Sequence, residues 1–328
     1  MKDATTHEAA KGFPQPAHFI GIGGAGMSGI AMVLAALGVD VRGSDLKASR
    51  YTRLLEDAGV PVAIGHEADN LGDAALVVIS SAIPETNPEL RAARAAGLPV
   101  LRRAEMLARV MAMRRGIAVA GTHGKTTTSS MISHVLRQAG LDPTFLVGGE
   151  LNDIGSNAGM GEGEWLVAEA DESDGSFLYL RPEVAVVANV ELDHHANYGC
   201  LDDVREVFRR FVALLPADGL LVLVAGSGGE ELAAHTPAQV VVVGLEKGDL
   251  RALVHRVDDL GSEFTVATAD GRELARVELR VPGEHNVLNA LTALAVLRHT
   301  GVEPDAAAPH AQGCIGRPTY WLQPLSSG

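Results

Sequence analysis

Apolar runs and glycine-marked polar breaks alternate along this chain at the spacing of strands and helices taken in turn. From His18 to Asp45 the order is an apolar strand (HFIGIGG), a helix (AGMSGIAMVLAALG) and a second strand (VDVRGSD). The rhythm continues through SRYTRLLEDAG, VPVAIG, ALVVISSAI, NPELRAARAAG, LPVLRR and AEMLARVMA. Short, nearly continuous apolar runs separated by helices mark strands buried on both faces. The pattern therefore predicts a parallel sheet of about five strands with helices on both sides.

Near Met113 to Gly116 the rhythm restarts, which places a domain boundary there. The run Ile117-Ala118-Val119-Ala120 meets a glycine turn, then a helix whose inward positions are Met131, Ile132, Val135 and Leu136. FLVGGELNDIGSNAGMGEGE reads as a long functional loop. WLVA and VAVVANV follow as strands ending in EADESD and ELDHH, then an amphipathic helix from Asp202 to Leu215 and the buried runs LLVLVAG and QVVVVG. RALVHRVDD, SEFTVATAD and RELARVELRV alternate apolar and polar residues, with Asp-Gly between the last two, and predict an antiparallel meander. A final helix opens at Pro282-Gly283-Glu284 and runs to about His299. The expected division is a flexible tail over 1–17, a Rossmann-like domain over 18–115, a second α/β domain over 116–313 and an aberrant tail over 314–328.

Composition narrows the classes. With 47% hydrophobic and 21% charged residues the 328-residue chain is globular, and its length suggests about two domains. A net charge of −14 argues against nucleic acid or an anionic membrane surface as partner. Phosphates must then be bound by local devices. Cys200 and Cys314 are the only cysteines, too few for a disulfide framework or a metal finger. The N-terminus lacks an apolar signal core and no apolar run approaches the roughly 20 residues that span a bilayer. A soluble, cytoplasmic protein is expected; its oligomeric state is not readable.

Candidate chemistry lies where strands end. Gly21, Gly23 and Gly26 match G-x-G-x-x-G, and Asp45 closes the next strand about 20 residues on, where a dinucleotide fold holds its ribose acid. Glycines there only permit close backbone approach and aim a helix N-terminus at a pyrophosphate, so a nicotinamide or flavin cofactor and a sugar nucleotide both fit. Gly65-His66 and Ser80-Ser81 end two further strands, where open α/β sheets place ligands. His66 reads equally as a solvated histidine. The seven arginines from Arg91 to Arg115 are scattered and read as a solvated surface.

In the second domain Gly121-Thr122-His123-Gly124-Lys125-Thr126-Thr127 forms a phosphate cradle of the shorter type G-x-x-G-K-T; in the usual longer pattern the first glycine would fall at Val119. ATP or GTP is its natural guest. Glu169, Asp171, Glu172 and Asp174 at one strand end would repel one another without a cation, and Mg²⁺ is the expected one. His194 and His195 follow the next strand. His285, Asn286 and Asn289 share the start of the last helix, suited to a purine ring or to helix capping.

Taken together, GIGGAGMSG, SSAIPETNPE, AVAGTHGKTTT, AEADESDGSF, ANVELDHHANYG and PGEHNVLNALTALA, in this order over about residues 18–313, resemble the Mur ligases, above all the branch that joins L-alanine to UDP-N-acetylmuramate. A close cousin recycles whole peptides. The resemblance implies an α/β fold in which a Rossmann-like domain holds the UDP-sugar and a central P-loop domain with a small antiparallel portion holds ATP and Mg²⁺. It implies that Lys125 meets the β- and γ-phosphates and Thr126 a Mg²⁺, while Glu169 and His194 hold a second. It further implies that His285, Asn286 and Asn289 line the adenine site. Gly23, Gly24, Ala25 and Gly26 would approach the UDP phosphates, with Asp45 and His66 as further contacts and Ser80 and Ser81 beside them. The implied chemistry runs through an acyl phosphate on the muramoyl carboxylate. The family also has a third, C-terminal domain, and this chain stops where that domain begins; residues 316–328 resemble a tail from a shifted reading frame or an artificial end. The expectation is a chain that binds both nucleotides yet ligates poorly alone. Rival readings are a nicotinamide-dependent oxidoreductase and a non-catalytic sugar-nucleotide binder.

Overall fold

The computed structural model describes residues 10, 12–151, 155–193, 198–302 and 320–323. The chain divides into two compact units, one running to Met113 and including Asn157–Met160, the other made of Arg114–Ser156 and the chain from Gly161 on.

The first unit is built on a parallel sheet of strands β1 (Ala17–Ile20), β2 (Val41–Asp45), β3 (Val62–Ile64), β4 (Leu76–Ile79) and β5 (Val100–Arg102), in the order β3-β2-β1-β4-β5. Ala17 pairs with Val41 on one side and Leu76 on the other, so β1 is central, and its four residues are all buried. The crossovers are α1 (Ala25–Ala36), α2 (Arg50–Asp57), α3 (Pro88–Ala95) and α4 (Arg103–Met111). Two of these announce their starts chemically. Ser49 and Thr52 form a reciprocal capping box on α2, and Asn87 accepts from the Leu90 N–H just ahead of Pro88 on α3. Strand order reverses between β1 and β4, so the carboxyl ends of β1, β2 and β4 converge on the place where such sheets take ligands.

The second unit carries an eleven-stranded mixed sheet among the described residues, ordered β16-β15-β14-β13-β12-β11-β10-β6-β9-β7-β8. Its parallel centre is β6 (Arg115–Ala120) between β10 (Val184–Val187) and β9 (Trp165–Glu169), flanked by β11 (Leu220–Val224), β12 (Gln239–Gly244) and β7 (Thr144–Leu151). The meander forms as expected: β13 (Leu250–Asp258), β14 (Gly261–Thr268) and β15 (Glu273–Leu279) are antiparallel, and Gly271 of the Asp-Gly turn has φ +88°. The stretch read as a long loop after Gln138 is instead β7 and β8 (Ser156–Gly159). Its glycines hid a strand, because Gly148 and Gly149 leave out side chains where other residues press in. Of the expected C-terminal tail, Tyr320–Gln323 is β16, antiparallel to β15; positions 314–319 and 324–328, like residues 1–9, lie outside the described residues.

Helix α5 (Lys125–Gln138) follows β6, α6 (Leu201–Val212) lies between β10 and β11, and α7 (Glu284–His299) closes the unit. Met131, Ile132 and Leu136 of α5 share one core with Val287, Leu291 and Leu294 of α7 and with Val119, Val186 and Val222 of the sheet. Burying such side chains stabilises the fold by about 1.5–3 kcal/mol each. That packing sets the N-termini of α5 and α7 beside each other.

Candidate functional site

Strand β6 delivers the turn Gly121–Gly124 at its carboxyl end, and α5 begins at Lys125. Gly121 has φ +137° and Gly124, the residue before the helix, has φ +79°, conformations that side chains resist. A Cβ on Gly121 would also stand 3.0 Å from the Asn189 nitrogen. The turn is pinned from β10. Asn189 accepts from the His123 N–H at 2.9 Å through Oδ1 and donates to the His123 carbonyl at 3.0 Å, while Thr122 N–H donates to the Asn189 carbonyl at 3.4 Å. The N–H groups of Thr122 and His123 are thus spent on the protein. What remains for an anion is the opening of α5, whose N–H groups lack partners within the helix and carry the positive end of its dipole. Asn189 escaped the sequence reading because one amide among the polar residues after a strand gives no periodic signal.

Lys125 curls over its own turn. Its ammonium donates to the Gly121 carbonyl at 2.6 Å, to Thr122 at 3.4 Å and to both oxygens of Glu172 at 2.9 and 3.0 Å. The Glu172 side chain is only 3% exposed, so this pair is shielded from water. Tyr198 donates to the Glu172 carbonyl; burial first, and then the carboxylates of Glu172, Asp174 and Asp171, push its phenol upward and keep it a donor.

The four carboxylates after β9 do not gather about one point as the sequence suggested. Glu172 serves Lys125, Asp171 accepts from Ser173, and Asp174 accepts from the Ser176 N–H. Each of the three thus takes a different donor. Glu169 meets α5 one turn further on, at Ser129. Its Oε1 accepts from Gly148 N–H and from Ser129 at 3.3 Å, and Oε2 accepts no hydrogen bond among the described residues. A Cβ on Gly148 would lie 2.7 Å from Glu169 Oε2 and 3.0 Å from Thr126 Oγ1. Hydroxyl and carboxylate oxygens thus flank one small gap, a donor set of the hard kind that Mg²⁺ takes. His194, the remaining expected metal ligand, and His195 lie outside the described residues.

On the other side of the turn is a cavity of about 530 Å³ between His123, Gly124 and Thr127 and the start of α7, where His285, Asn286 and Asn289 line it, with Asn189, Val224 and Val281 completing the walls. Asn289 Oδ1 accepts from Thr128 at 3.1 Å, which ties α7 to α5. Asn286 donates to the Pro282 carbonyl at 2.7 Å. The capping alternative is not realised: α7 opens at Gly283 with no side-chain cap hydrogen bond, so the side chains at this end are left to line the cavity.

In the first unit the turn 21–24 runs from β1 into α1. Gly21 has φ +79°, and a Cβ on Gly23 would meet Thr52 at 2.8 Å and Asp45 Oδ2 at 2.9 Å. The same Asp45 oxygen accepts from Gly23 N–H at 2.9 Å, so Asp45 fixes the turn. Gly24 precedes α1 with extended dihedrals, and the Ala25 carbonyl accepts from Asn157 at 2.8 Å. Beside Gly26 lies Arg103, whose Nη1 would be 2.6 Å from a Cβ there. One of the scattered arginines therefore stands at the N-terminus of α1, unforeseen because a single cation on a helix has no distinguishing context. Ser80 abuts Gly21, and its Oγ accepts from Ala82 N–H at 3.3 Å, while Ser81 is exposed. His66 turns inward: Nδ1 lies 3.0 Å from Ser44 Oγ and 3.1 Å from Glu89 Oε1.

Comparison with known proteins agrees with this layout. Residues 16–115 match the model of the Mur ligase family, catalytic domain, and residues 119–297 that of the Mur ligase middle domain. The chain is 56% identical over 292 residues to a UDP-N-acetylmuramate–L-alanine ligase of Rubrobacter xylanophilus, covering 89% of this chain and 64% of that protein. It is 46% identical to a namesake of Mesorhizobium japonicum, again over 64% of the relative. It thus spans about two thirds of the length of these relatives, 64% in each case. Among solved structures, the UDP-N-acetylmuramate-alanine ligase of Thermotoga maritima superposes with TM-score 0.78 at 32% identity, covering 89% of this chain and 66% of that one. The UDP-N-acetylmuramate:L-alanyl-gamma-D-glutamyl-meso-diaminopimelate ligase of Neisseria meningitides does so with TM-score 0.81 at 32% identity, over 89% of this chain and 95% of the other. With two family models in register with its two units, and with glycine turns at the strand ends of both, the chain belongs to the Mur ligase family.

Proposed function

We propose that this chain carries the UDP-sugar and ATP sites of an ATP-dependent amide-forming ligase that joins L-alanine to UDP-N-acetylmuramate in cytoplasmic peptidoglycan precursor synthesis. The observation that carries the reading is the Lys125 turn set against the cavity at the start of α7, in a chain matching the Mur ligase middle domain. The roles are those that the family resemblance implies, and the geometry supports them. The opening N–H groups of α5 and the Lys125 ammonium neutralise the β- and γ-phosphates, and His285, Asn286 and Asn289 take the adenine. Thr126 Oγ1 and Glu169 would hold Mg²⁺, which when bound neutralises phosphate oxygens. Gly23 to Gly26, with Ser80 and Ser81 at the neighbouring strand end, receive the UDP pyrophosphate; Asp45 acts on it only by shaping the turn.

The muramoyl carboxylate is a poor electrophile. One of its oxygens attacks the γ-phosphorus of ATP, the bond to the β,γ-bridging oxygen breaks, and ADP leaves an acyl phosphate behind. The amino nitrogen of L-alanine attacks the acyl carbon; the carbon–oxygen bond to phosphate breaks and the nitrogen gives up a proton. No side-chain nucleophile is needed, so the protein supplies placement and charge neutralisation.

Phosphate release by the purified chain, with UDP-N-acetylmuramate, ATP with Mg²⁺ and L-alanine each left out in turn, tests this reading. Strict dependence on all three is expected of a catalytic chain; binding of both nucleotides without turnover would assign it the sites alone. Lys125→Ala should weaken nucleotide binding about tenfold or more, ~1.4 kcal/mol, by isothermal titration. Unchanged affinity would remove the ATP site. The likeness to the Neisseria protein favours a second reading in which a peptide replaces L-alanine, decided by offering L-alanyl-gamma-D-glutamyl-meso-diaminopimelate in its place.

A further inference from the structure

In the same unit as the sugar-nucleotide turn lies a buried polar cluster of which only His66 is among the expected ligand contacts. Glu89, near the start of α3, is fully buried, and four side chains converge on its carboxylate. His18 Nε2 lies 2.7 Å and Ser44 Oγ 2.7 Å from Oε2, while Asn70 Nδ2 at 2.9 Å and His66 Nδ1 at 3.1 Å reach Oε1. His18, 1% exposed, sits on the central strand β1, Ser44 on β2 just before Asp45, and His66 just after β3. One carboxylate on α3 thus gathers the three neighbouring strands at the ends that frame the glycine turn.

The protons of the cluster can be assigned by counting. A carboxylate accepts only, so Ser44 spends its single hydroxyl proton on Glu89 Oε2. Ser44 has no proton left for His66, and the close approach of His66 Nδ1 to both Ser44 Oγ and Glu89 Oε1 requires that Nδ1 carry the hydrogen. A second-layer acceptor of this kind fixes both the tautomer and the ring plane of a histidine. The opposite nitrogen, Nε2, makes no hydrogen bond among the described residues, and unlike His18 Nδ1 it is not sealed from solvent.

We infer that Glu89 is a positioning residue for the sugar-nucleotide site, holding His66 as the Nδ1–H form so that Nε2 is presented to the ligand. The inference rests on the reading of the first unit as the UDP-sugar site and names a residue on which that site depends. Glu89 touches no ligand itself and acts through His66. The chemistry it prepares is an imidazole nitrogen that accepts from a ribose hydroxyl or a uracil N–H.

Nitrogen-15 spectra of the full chain with labelled histidine read the tautomer without any ligand. The wild type is expected to show His66 protonated at Nδ1, and Glu89→Gln, whose amide presents donor as well as acceptor, to lose that signature. His66 protonated at Nε2 in the wild type would overturn the inference. Titration with UDP-N-acetylmuramate gives the second readout: Glu89→Gln should bind about tenfold more weakly, His66→Ala about equally so, and the double variant no worse than either. A lowered unfolding temperature with affinity within twofold of wild type would make Glu89 a structural residue only. Should Glu89→Gln not fold, Glu89→Asp keeps the charge while withdrawing it from His66, and should show the same two changes; unchanged tautomer and affinity there would also overturn it. A wild type that shows the expected tautomer but binds no UDP-sugar would sink the site assignment while leaving the Glu89–His66 coupling in place.

Discussion

At the scale of single residues, two buried charges set the behaviour of the two turns. Burial alone would raise the Glu89 carboxyl, but the hydrogen bonds from His18, Ser44 and Asn70 and the nearby His18 outweigh it and hold the group to about 2, below its ordinary 4.5. A depressed carboxyl stabilises the fold above its unfolded value and loses that contribution as pH falls through the folded one. Denaturant unfolding of the wild type should therefore weaken between pH 4.5 and 2, by roughly 3 kcal/mol in full, and Glu89→Gln should lack that portion of the pH dependence. Glu172 poses the opposite case. It holds the ammonium that the proposed ATP site would turn on the phosphates, so a bound nucleotide would compete with a shielded carboxylate for Lys125. Glu172→Gln is expected to tighten ADP binding measured without divalent cation by about tenfold, ~1.4 kcal/mol. Weaker binding there would mean that Glu172 serves the nucleotide directly.

Helix and strand ends decide the next scale. The pairing of β6 with β9 and β10 puts three strand termini side by side, so Gly124, Glu169 and Asn189 come to the same end of the sheet although 65 positions separate the first from the last. Gly148 of β7 completes the arrangement by what it lacks. Gly148→Ala should place a methyl against Glu169 and Thr126, lowering Mg²⁺-dependent nucleotide affinity while cation-free affinity changes little; equal loss in both titrations would count against a metal gap there. The strand-to-helix turns were legible in the sequence because their signal is local, a glycine turn between an apolar run and a helix such as the one that opens at Lys125. β7 was not, since its glycines follow from what packs on the strand and break the strand pattern. Asn189, Arg103 and Glu89 were missed for a related reason. Each acts on a partner distant in sequence, and composition near them is ordinary.

For the whole molecule, the proposed reading gives each of the two units a ligand site of its own under a net charge of −14, so anions would have to be met where helix ends and cations are concentrated. Each ligand should stabilise the folded chain by mass action, about 2.7 kcal/mol at a concentration a hundred times its dissociation constant. Calorimetric scans with UDP-N-acetylmuramate alone, ADP alone and both together check this; NAD, the ligand of the rival dinucleotide reading, should shift nothing. Among the described residues no helix is long and apolar enough to cross a membrane.

Sequence alone determined the alternation of strands and helices, the two glycine turns and the family, because these depend on neighbours within a few residues and on the order of motifs. Tertiary structure alone decided which polar groups meet. It spread four adjacent carboxylates to different partners, gave Lys125 to Glu172, turned Asp45 toward its own glycine loop, and buried Glu89 between two histidines. The physical reason is that a charged or hydrogen-bonding side chain is satisfied by whatever lies within about 3 Å in space. That distance is set by sheet order and helix packing, which spacing along the chain does not encode.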